Sequence, residues 1–230
     1  MGLVDAQVLK NFIAAINEVV SEATIWVEDG RLRFRGMDEA HVVLADLGAE
    51  ADGCEIAEPV TISTADLAKF LKNVDGEVCL ELVDKRLKIF GGDVAITVSI
   101  ISDTDYRAMK NLDLRHECEG EVLFPSFKDA VDHAATINDY LRLSASGSGL
   151  VAEARSDYAE LRRVIPTMSL RVHKEGVAAS FSTIYLQKIN NILKRAGADS
   201  IRIGFATNKP LEVWGEGRFA ATVYLAPRIE

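Results

Sequence analysis

The residue types that most often carry catalysis are present in this sequence, but their spacing matches no catalytic motif. Ser146-Gly-Ser-Gly149 has a serine where a nucleophile turn needs its first glycine, so it predicts a β-turn. No glycine-rich phosphate loop is present. The histidines lie far apart, without metal-ligand spacing, at His41, His116, His133 and His173. The sequence therefore predicts no catalytic residue, metal or cofactor, and an enzyme with a site built from distant residues stays open as the alternative.

Composition narrows the class of protein further. The 230 residues are 48% hydrophobic and 27% charged, which is typical of a soluble globular protein. Cys54, Cys79 and Cys118 are odd in number and widely spaced, which predicts free thiols in a reducing compartment. No apolar run approaches the roughly 20 residues that a membrane span needs. We therefore expect a protein of the cytoplasm or nucleoid, or of the nucleus in a eukaryote, with no membrane partner.

The charge pattern is the feature that points to a binding function. The net charge is −9, which argues against a surface that is basic all over. Lysines and arginines nevertheless fall on the polar faces of predicted helices, while acids concentrate in strands and loops. Basic helix faces that lie next to each other would attract the phosphates of a nucleic acid without recognising its base sequence. From the pattern alone, ordinary solvated lysines remain the alternative interpretation.

Four helices are predicted, and the first, second and fourth carry these basic faces. Apolar residues at helical spacing predict the first from about Asp5 to Glu22, with Asp5 as N-cap. Ser63 begins the second, with Leu67, Phe70 and Leu71 on its apolar face. The third opens at Pro125-Ser126 and the fourth at Phe181-Ser-Thr183. The intervening strands include a hairpin at Asp29-Gly30, a strand at His41–Leu47 and another from Tyr158 to Ile165.

The chain also reads as a duplication. The strand pattern of residues 94–101 aligns in register with that of residues 219–226, the predicted strand that closes the chain. The pattern of helix, three strands, helix and three strands then occurs twice. We predict an α+β fold of two similar domains, each with helices on antiparallel sheet. The predicted boundaries are 1–101, a connector at 102–112, and 113–230.

These residues resemble the archaeal–eukaryotic sliding clamps of the proliferating cell nuclear antigen (PCNA) family. The most specific segments are Tyr224-Leu-Ala-Pro-Arg-Ile-Glu230 and Gly36-Met-Asp-Glu-Ala-His-Val-Val-Leu44, supported by Phe70-Leu-Lys72 and Lys209-Pro-Leu-Glu-Val213. The resemblance covers essentially the whole chain. It implies the DNA-clamp fold, in which three subunits form a ring with helices facing duplex DNA and sheets outside. It also implies a polymerase processivity factor without enzymatic activity.

The resemblance implies that basic side chains on the helices face DNA. The third helix departs from the family pattern, since Asp129 and Asp132 stand where basic residues are usual. On the fourth helix, Asn191 stands at the usual basic position. The alignment could be off by a residue there, or the subunit could contact DNA asymmetrically in a mixed ring. The expected DNA-binding residues are Lys10, Lys69, Lys72, Lys128, Lys188 and Lys194.

The resemblance also implies a front-face pocket that binds a short peptide motif of client proteins through aromatic and aliphatic anchors. DNA polymerase, the clamp loader, flap endonuclease and DNA ligase are the expected clients. For His41 an ordinary loop histidine is the alternative, and the connector residues match the family pattern poorly. The expected pocket residues are Met37, His41, Val42, Leu44, Tyr106, Met109, Leu112, Pro210, Tyr224, Ala226, Pro227 and Ile229.

Subunit contacts are expected between two strand edges, which the resemblance places at residues 94–101 and 158–165. The side chains expected there are Val94, Ile96, Val98, Ile100, Tyr158, Leu161 and Val164. We expect a homotrimer. A subunit of a heterotrimeric or checkpoint-type clamp is the alternative within the fold. A nucleic-acid-binding domain that forms no ring, or an enzyme, is the alternative from another class.

Overall fold

The computed structural model describes residues 3–52, 54, 56, 58–101, 109, 112–147 and 149–229. The chain forms two compact units. The first comprises residues 1–110 together with Arg218–Ala221, and the second comprises residues 111–217 together with Thr222–Glu230. The boundaries predicted from the sequence, at residues 101 and 113, stay a prediction.

The first unit contains two helices and eight strands among its described residues. Its strands form two antiparallel arrays, in the orders β1-β6-β7-β8 and β4-β3-β2-β5. The two helices of this unit pack against each other. The elements are β1 (Val4–Asp5), α1 (Ala6–Asn17), β2 (Glu22–Glu28), β3 (Arg31–Met37), β4 (Val43–Glu50), β5 (Val60–Ser63), α2 (Thr64–Leu71), β6 (Glu77–Val83), β7 (Arg86–Gly91) and β8 (Val94–Ser99).

The second unit repeats this layout. Its strands follow the orders β13-β9-β15-β16-β17 and β12-β11-β10-β14. The elements are β9 (Cys118–Leu123), α3 (Phe124–Ala135), β10 (Tyr140–Ser146), β11 (Gly149–Arg155), β12 (Glu160–Ile165), β13 (Thr167–Val172), β14 (Val177–Ser182), α4 (Thr183–Ala196), β15 (Ser200–Phe205), β16 (Leu211–Glu216) and β17 (Ala220–Leu225).

One plan therefore describes both units. The order β1-β6-β7-β8 corresponds to β9-β15-β16-β17, and β4-β3-β2-β5 corresponds to β12-β11-β10-β14. In each unit one helix follows the first strand and the other precedes the third strand from the end. Only β13 has no counterpart among the described strands of the first unit. The element order thus carries the duplication that the sequence pattern indicates.

Local turn chemistry fixes the hairpins. Asp29 and Gly30 both have positive φ, at 51° and 72°, between β2 and β3. Asp84 and Lys85 do the same between β6 and β7, at 50° and 58°. Two consecutive left-handed residues match the twist of the flanking strands, which is why such turns favour Asp and Gly. These turns set the register in which alternate residues face the core.

Aromatic and aliphatic side chains fill the core of each unit. In the first unit, Phe12 of α1 is fully buried and its ring meets that of Phe219 edge-on, with the centroids 5.6 Å apart. Phe219 comes from the short segment Arg218–Ala221 that belongs to this unit. In the second unit, Phe127 and Phe181 are fully buried. Such rings account for much of the apolar area removed from water on folding.

Several sequence predictions about element bounds are wrong. The first helix ends at Asn17 rather than Glu22, since the chain turns before β2. Four strands rather than three separate α1 from α2, because β5 has only four residues, too few for a clear period. The two-residue strand β1 was missed for the same reason. Phe70 is 50% exposed, because α2 has only eight residues and buries Thr64, Leu67 and Leu71.

Two predicted strands begin later than expected. β4 starts at Val43, because His41 has a φ of +56° and lies in the preceding turn. β12 starts at Glu160, because the Ser156 hydroxyl accepts the amides of Tyr158 and Ala159 and closes a turn there. His41 and Tyr158 therefore lie in turns, where side chains reach solvent more easily than in a strand.

Candidate nucleic-acid and partner-binding sites

Lys10 lies on α1, which begins as the sequence predicts. The Asp5 carboxylate accepts the amides of Gln7 and Val8, at 2.7 and 2.9 Å. This N-cap satisfies two of the amides that a helix start leaves unpaired. Lys10 projects beside the buried face and pairs with Asp75 at 3.1 Å. Its side chain is 18% exposed while that of Asp75 is 91% exposed, so the partner can swing away into solvent.

Lys69 and Lys72 lie at the end of α2, whose Ser63 cap accepts the Asp66 amide at 3.3 Å. Lys69 pairs with Asp66 one turn earlier, at 3.3 Å, and both side chains are more than half exposed. An exposed pair of this kind contributes little to stability and yields readily to another anion. Lys72 is exposed and has no ion pair within the described residues. Cations here also suit the negative end of the helix dipole.

Lys128 lies on α3 in a different setting. It pairs with Asp132 on the same helix, and this hydrogen bond raises the pKa of the Lys128 ammonium group. Asp129 lies 3.7 Å from Arg163 of β12, and Arg163 also donates to His133 Nδ1 at 2.9 Å. Both acids that depart from the family pattern are therefore paired with cations. Their charge is balanced within the second unit rather than left facing outward unpaired.

Lys188 and Lys194 lie on α4. The Lys188 ammonium lies 5.4 Å from the centre of the Tyr185 ring, within range of a cation–π contact. Lys194 is exposed, in the last turn of the helix. Neither lysine has a carboxylate partner among the described residues. Of the six predicted DNA-binding lysines, three are paired with carboxylates and three are not.

The predicted pocket residues of the first unit lie along one loop and the strands beside it. Asp38, only 7% exposed, organises the loop, because its carboxylate accepts the amides of Val42 and Val43 at 2.7 Å each. His41 is exposed at the tip, Met37 and Val42 are partly exposed, and Leu44 is buried. Sequence reasoning missed Asp38, because the amides it accepts lie four and five residues later, beyond the two-residue spacing of an Asx turn.

The predicted pocket residues of the second unit belong to β17, the segment after it and the start of β16. Pro210, Tyr224, Ala226 and Pro227 are partly exposed. Ile229 is 79% exposed, which is unusual for an isoleucine and leaves its side chain free to meet a partner. Met109 and Leu112 of the connector are each 42% exposed. Tyr106 lies outside the described residues.

The two strands predicted to join subunits are both terminal in their strand orders. β8 pairs only with β7, and β12 only with β11, among the described residues. Val94, Ile96, Ile100 and Leu161 are partly exposed, Val164 is 54% exposed and Tyr158 is 99% exposed. Val98 is 6% exposed within its own unit, so a contact at this position would use backbone groups. Free strand edges of this kind are templates for pairing with another chain.

A groove of about 490 Å³ crosses strands β13, β9, β15 and β16 of the second unit. Its lining includes Arg202, whose guanidinium lies 4.0 Å from the centre of the Trp214 ring. The described residues contain no cluster of three metal-binding side chains, and no helix among them is long and apolar enough to cross a membrane.

Comparison with known proteins agrees with this fold. Residues 1–91 match the family described as the N-terminal domain of proliferating cell nuclear antigen. The DNA polymerase sliding clamp of Methanothrix thermoacetophila is 26% identical over 243 aligned positions, covering 100% of this chain and 98% of that protein. The structure of the C-terminal region of FEN-1 bound to A. fulgidus PCNA superposes with a TM-score of 0.87 at 23% identity, covering 99% of this chain and 98% of that one.

Together, the match of residues 1–91 and the relatives that span the whole chain support a PCNA-type sliding clamp. The α+β clamp fold expected from the sequence is confirmed. The expectation of a processivity factor without enzymatic activity agrees with the sliding-clamp relatives. The PCNA2–PCNA3 complex of Sulfolobus tokodaii is a further structural relative, with a TM-score of 0.82 and 20% identity over 100% of this chain and 99% of that one.

Sequence reasoning also missed two side-chain pairs that include or adjoin residues 224–229. These are His116 with Glu212 and Tyr140 with Arg228, and the members of each pair meet only in the folded structure. Between 88 and 96 positions separate the members of each pair along the chain, so no local spacing could reveal the contacts. Arg228 alone carried a signal, because it lies inside the specific Tyr-Leu-Ala-Pro-Arg-Ile-Glu segment.

Proposed function

We propose that this clamp is one subunit of a trimeric ring that encircles duplex DNA and tethers replication and repair enzymes to it. The observation that carries the proposal is the repeated helix pair. In both units, lysines project from the faces that the helices do not bury, and Lys72 and Lys194 are exposed without an ion-pair partner among the described residues. Lysines on successive helices contact phosphates regardless of base sequence, as a sliding protein requires.

The free edges of β8 and β12 support ring closure. Pairing β8 of one subunit with β12 of the next would satisfy both edges and repeat head to tail until the ring closes. We expect three copies of this chain. The Sulfolobus tokodaii relative forms a complex of PCNA2 with PCNA3, which supports a mixed ring as the alternative.

The exposed Ile229 of the second unit supports a site for partner peptides. The A. fulgidus relative binds the C-terminal region of FEN-1. By extension, flap endonuclease, DNA polymerase, DNA ligase and the clamp loader are the proposed partners of this clamp. An exposed apolar side chain on an ordered segment suits a short peptide that binds by insertion of its own apolar side chains.

Size-exclusion chromatography with light scattering tests the assembly. A homotrimer has a mass of three times 25.1 kDa at micromolar concentration and moderate salt. A monomer or dimer would contradict the homotrimer and direct the search to paralogues that complete a mixed ring.

Primer extension on a long template tests the DNA-facing helices. Lys69→Glu with Lys72→Glu should shorten the clamp-dependent products by roughly tenfold, because two cations near phosphate become anions. Lys85→Glu with Arg86→Glu is the matched control, since it makes the same charge change at the exposed β6–β7 turn. Equal effects of the two variants, or full processivity of the first in an intact trimer, would refute the inner-face assignment.

A further inference from the structure

The terminal segment Tyr224–Ile229, which the proposed function assigns to partner binding, is fixed at both ends by contacts within the second unit. The ladder of β17 ends at Leu225, and the chain continues through Pro227. Arg228 then forms an isolated antiparallel bridge with Ser180 of β14, and its amide donates to the Ser180 carbonyl at 2.8 Å. The segment therefore does not end as a loose tail.

The side chain of Arg228 makes the second contact at this end. Its guanidinium carbon lies 3.6 Å from the centre of the Tyr140 ring, close enough for stacking of the planar cation on the aromatic face. Tyr140 is itself held, because it pairs with Ser182 across the sheet and its amide donates to Asn138 Oδ1. An arginine stacked on a ring whose backbone is fixed in the sheet restricts the backbone that carries the arginine.

The other end of the segment is held through Glu212. The Glu212 carboxylate lies 2.7 Å from His116 Nε2, and the Tyr224 side chain also hydrogen-bonds to it. The His116 bond and, to a smaller extent, the Tyr224 bond lower the pKa of Glu212 against the effect of burial. Gly204 leaves room for this pair, since a Cβ there would lie 2.7 Å from the His116 ring.

We infer that the stack of Arg228 on Tyr140 and the His116–Glu212–Tyr224 chain are positioning contacts that hold Tyr224–Ile229 in the conformation that partner peptides bind. Neither Tyr140 nor His116 needs to touch the peptide. By ordering the segment beforehand, they remove a conformational entropy cost that binding would otherwise carry. The exposure of Ile229 at 79% fits this role, because the segment is ordered while its apolar side chain stays available.

Peptide titration calorimetry on the intact clamp tests the inference, which rests on the proposed function. The probe is a synthetic peptide with the sequence of the FEN-1 C-terminal region. Tyr140→Leu removes the aromatic face but keeps apolar bulk, and Arg228→Ala removes the cation. Each should weaken the peptide Kd about fivefold, and the double variant should be no weaker than the singles, because both remove one contact.

Conservative variants separate positioning from a general structural effect. Tyr140→Phe keeps the ring and should bind as the unaltered clamp does. Glu212→Gln still accepts from Tyr224 and should lose little affinity, whereas Glu212→Ala should lose about as much as Tyr140→Leu. Hydrogen exchange at residues 226–229 should speed up in Tyr140→Leu while the mass in solution stays unchanged. Full affinity of Tyr140→Leu would overturn the inference and leave Arg228 at most a direct peptide contact.

A further variant distinguishes failure of the inference from failure of the proposed function. Pro227→Ala with Ile229→Ala alters the predicted peptide-contacting residues themselves and should abolish most binding. Weak binding by this variant together with full affinity of Tyr140→Leu would leave the pocket in place and remove only the positioning role. Full affinity of the Pro227 and Ile229 variant would refute the pocket assignment in the proposed function.

Discussion

The helix pairs of the two units share a layout but differ in how their charges are balanced. Lys10 and Lys128 occupy equivalent positions, as the fifth residues of two twelve-residue helices. Lys10 reaches outside its helix to the exposed Asp75, whereas Lys128 pairs with Asp132 on its own helix. Arg163 of β12 then balances Asp129. The shared layout of the helices therefore does not determine how freely each lysine can bind a phosphate group.

The buried faces differ as well. Leu71 of α2 is fully buried, and the corresponding position of α4 is Asn190, which is 2% exposed. Both positions lie seven residues after the first residue of their helix, Thr64 and Thr183. Neither polar atom of the Asn190 amide has a hydrogen-bond partner among the described residues. A buried amide without a partner costs free energy that an apolar side chain of similar size does not.

The largest expected effect is on the free energy of unfolding, when the side chains of Leu71 and Asn190 are exchanged. Leu71→Asn should lower the free energy of unfolding by about 3–5 kcal/mol, because it removes buried apolar volume and adds an unsatisfied amide. Asn190→Leu should raise it by about 1–2 kcal/mol. Urea unfolding at one fixed protein concentration measures both, since assembly also affects stability. Destabilisation by Asn190→Leu would show that the amide has a role that its surroundings do not explain.

Removing the carboxylate partner of Lys128 should have a smaller effect, which is on the affinity for duplex DNA rather than on the free energy of unfolding. Asp132→Asn removes the partner of Lys128 and should strengthen duplex binding about threefold at low salt, with the gain fading as salt rises. Asp75→Asn should strengthen it less, because the exposed Asp75 already restrains Lys10 weakly. Fluorescence anisotropy with a labelled duplex measures each. Asp157→Asn in the exposed β11–β12 turn is the control, and an equal gain there would contradict a specific release of Lys128.

The smallest effect concerns the pKa of Glu117, which directly precedes β9, where Leu3 directly precedes β1. Lys174 and both the amide and hydroxyl of Thr207 donate to its carboxylate and lower its pKa to about 2. This stabilises the fold above pH 4.5, and the contribution is lost as the pH falls through about 2. Lys174→Met should raise the pKa more than Thr207→Val. Carboxyl NMR titration measures both, and an unchanged pKa in Lys174→Met would contradict the assigned cause.

Features encoded by neighbouring residues could be predicted from the sequence. The Asp29-Gly30 hairpin and the caps at Asp5 and Ser63 depend on side chains within three residues of the groups they serve. The duplication could be seen because both copies keep the same alternation in their closing strands. The burial of Leu67 follows from helical periodicity, whereas the exposure of Phe70 does not, since it depends on where α2 ends.

Contacts between distant residues could not be predicted in this way. Periodicity indicates which face of a strand is buried, but not which groups meet across neighbouring strands. The pairs Arg163–Asp129 and His116–Glu212 depend on register and strand order, which single-sequence patterns leave open. From the sequence alone, Asp129 and Asp132 therefore look like acidic residues without a cationic partner, although both form ion pairs in the fold.

The edge-on contact of Phe12 with Phe219 has a consequence for synthesis on the ribosome. Its aromatic partner Phe219 is made 207 residues after Phe12. The first unit thus lacks the segment Arg218–Ala221 until the ribosome has passed Ala221. A nascent chain stalled before this point carries an incomplete core in its first unit, so apolar surface around Phe12 stays exposed until the segment is added.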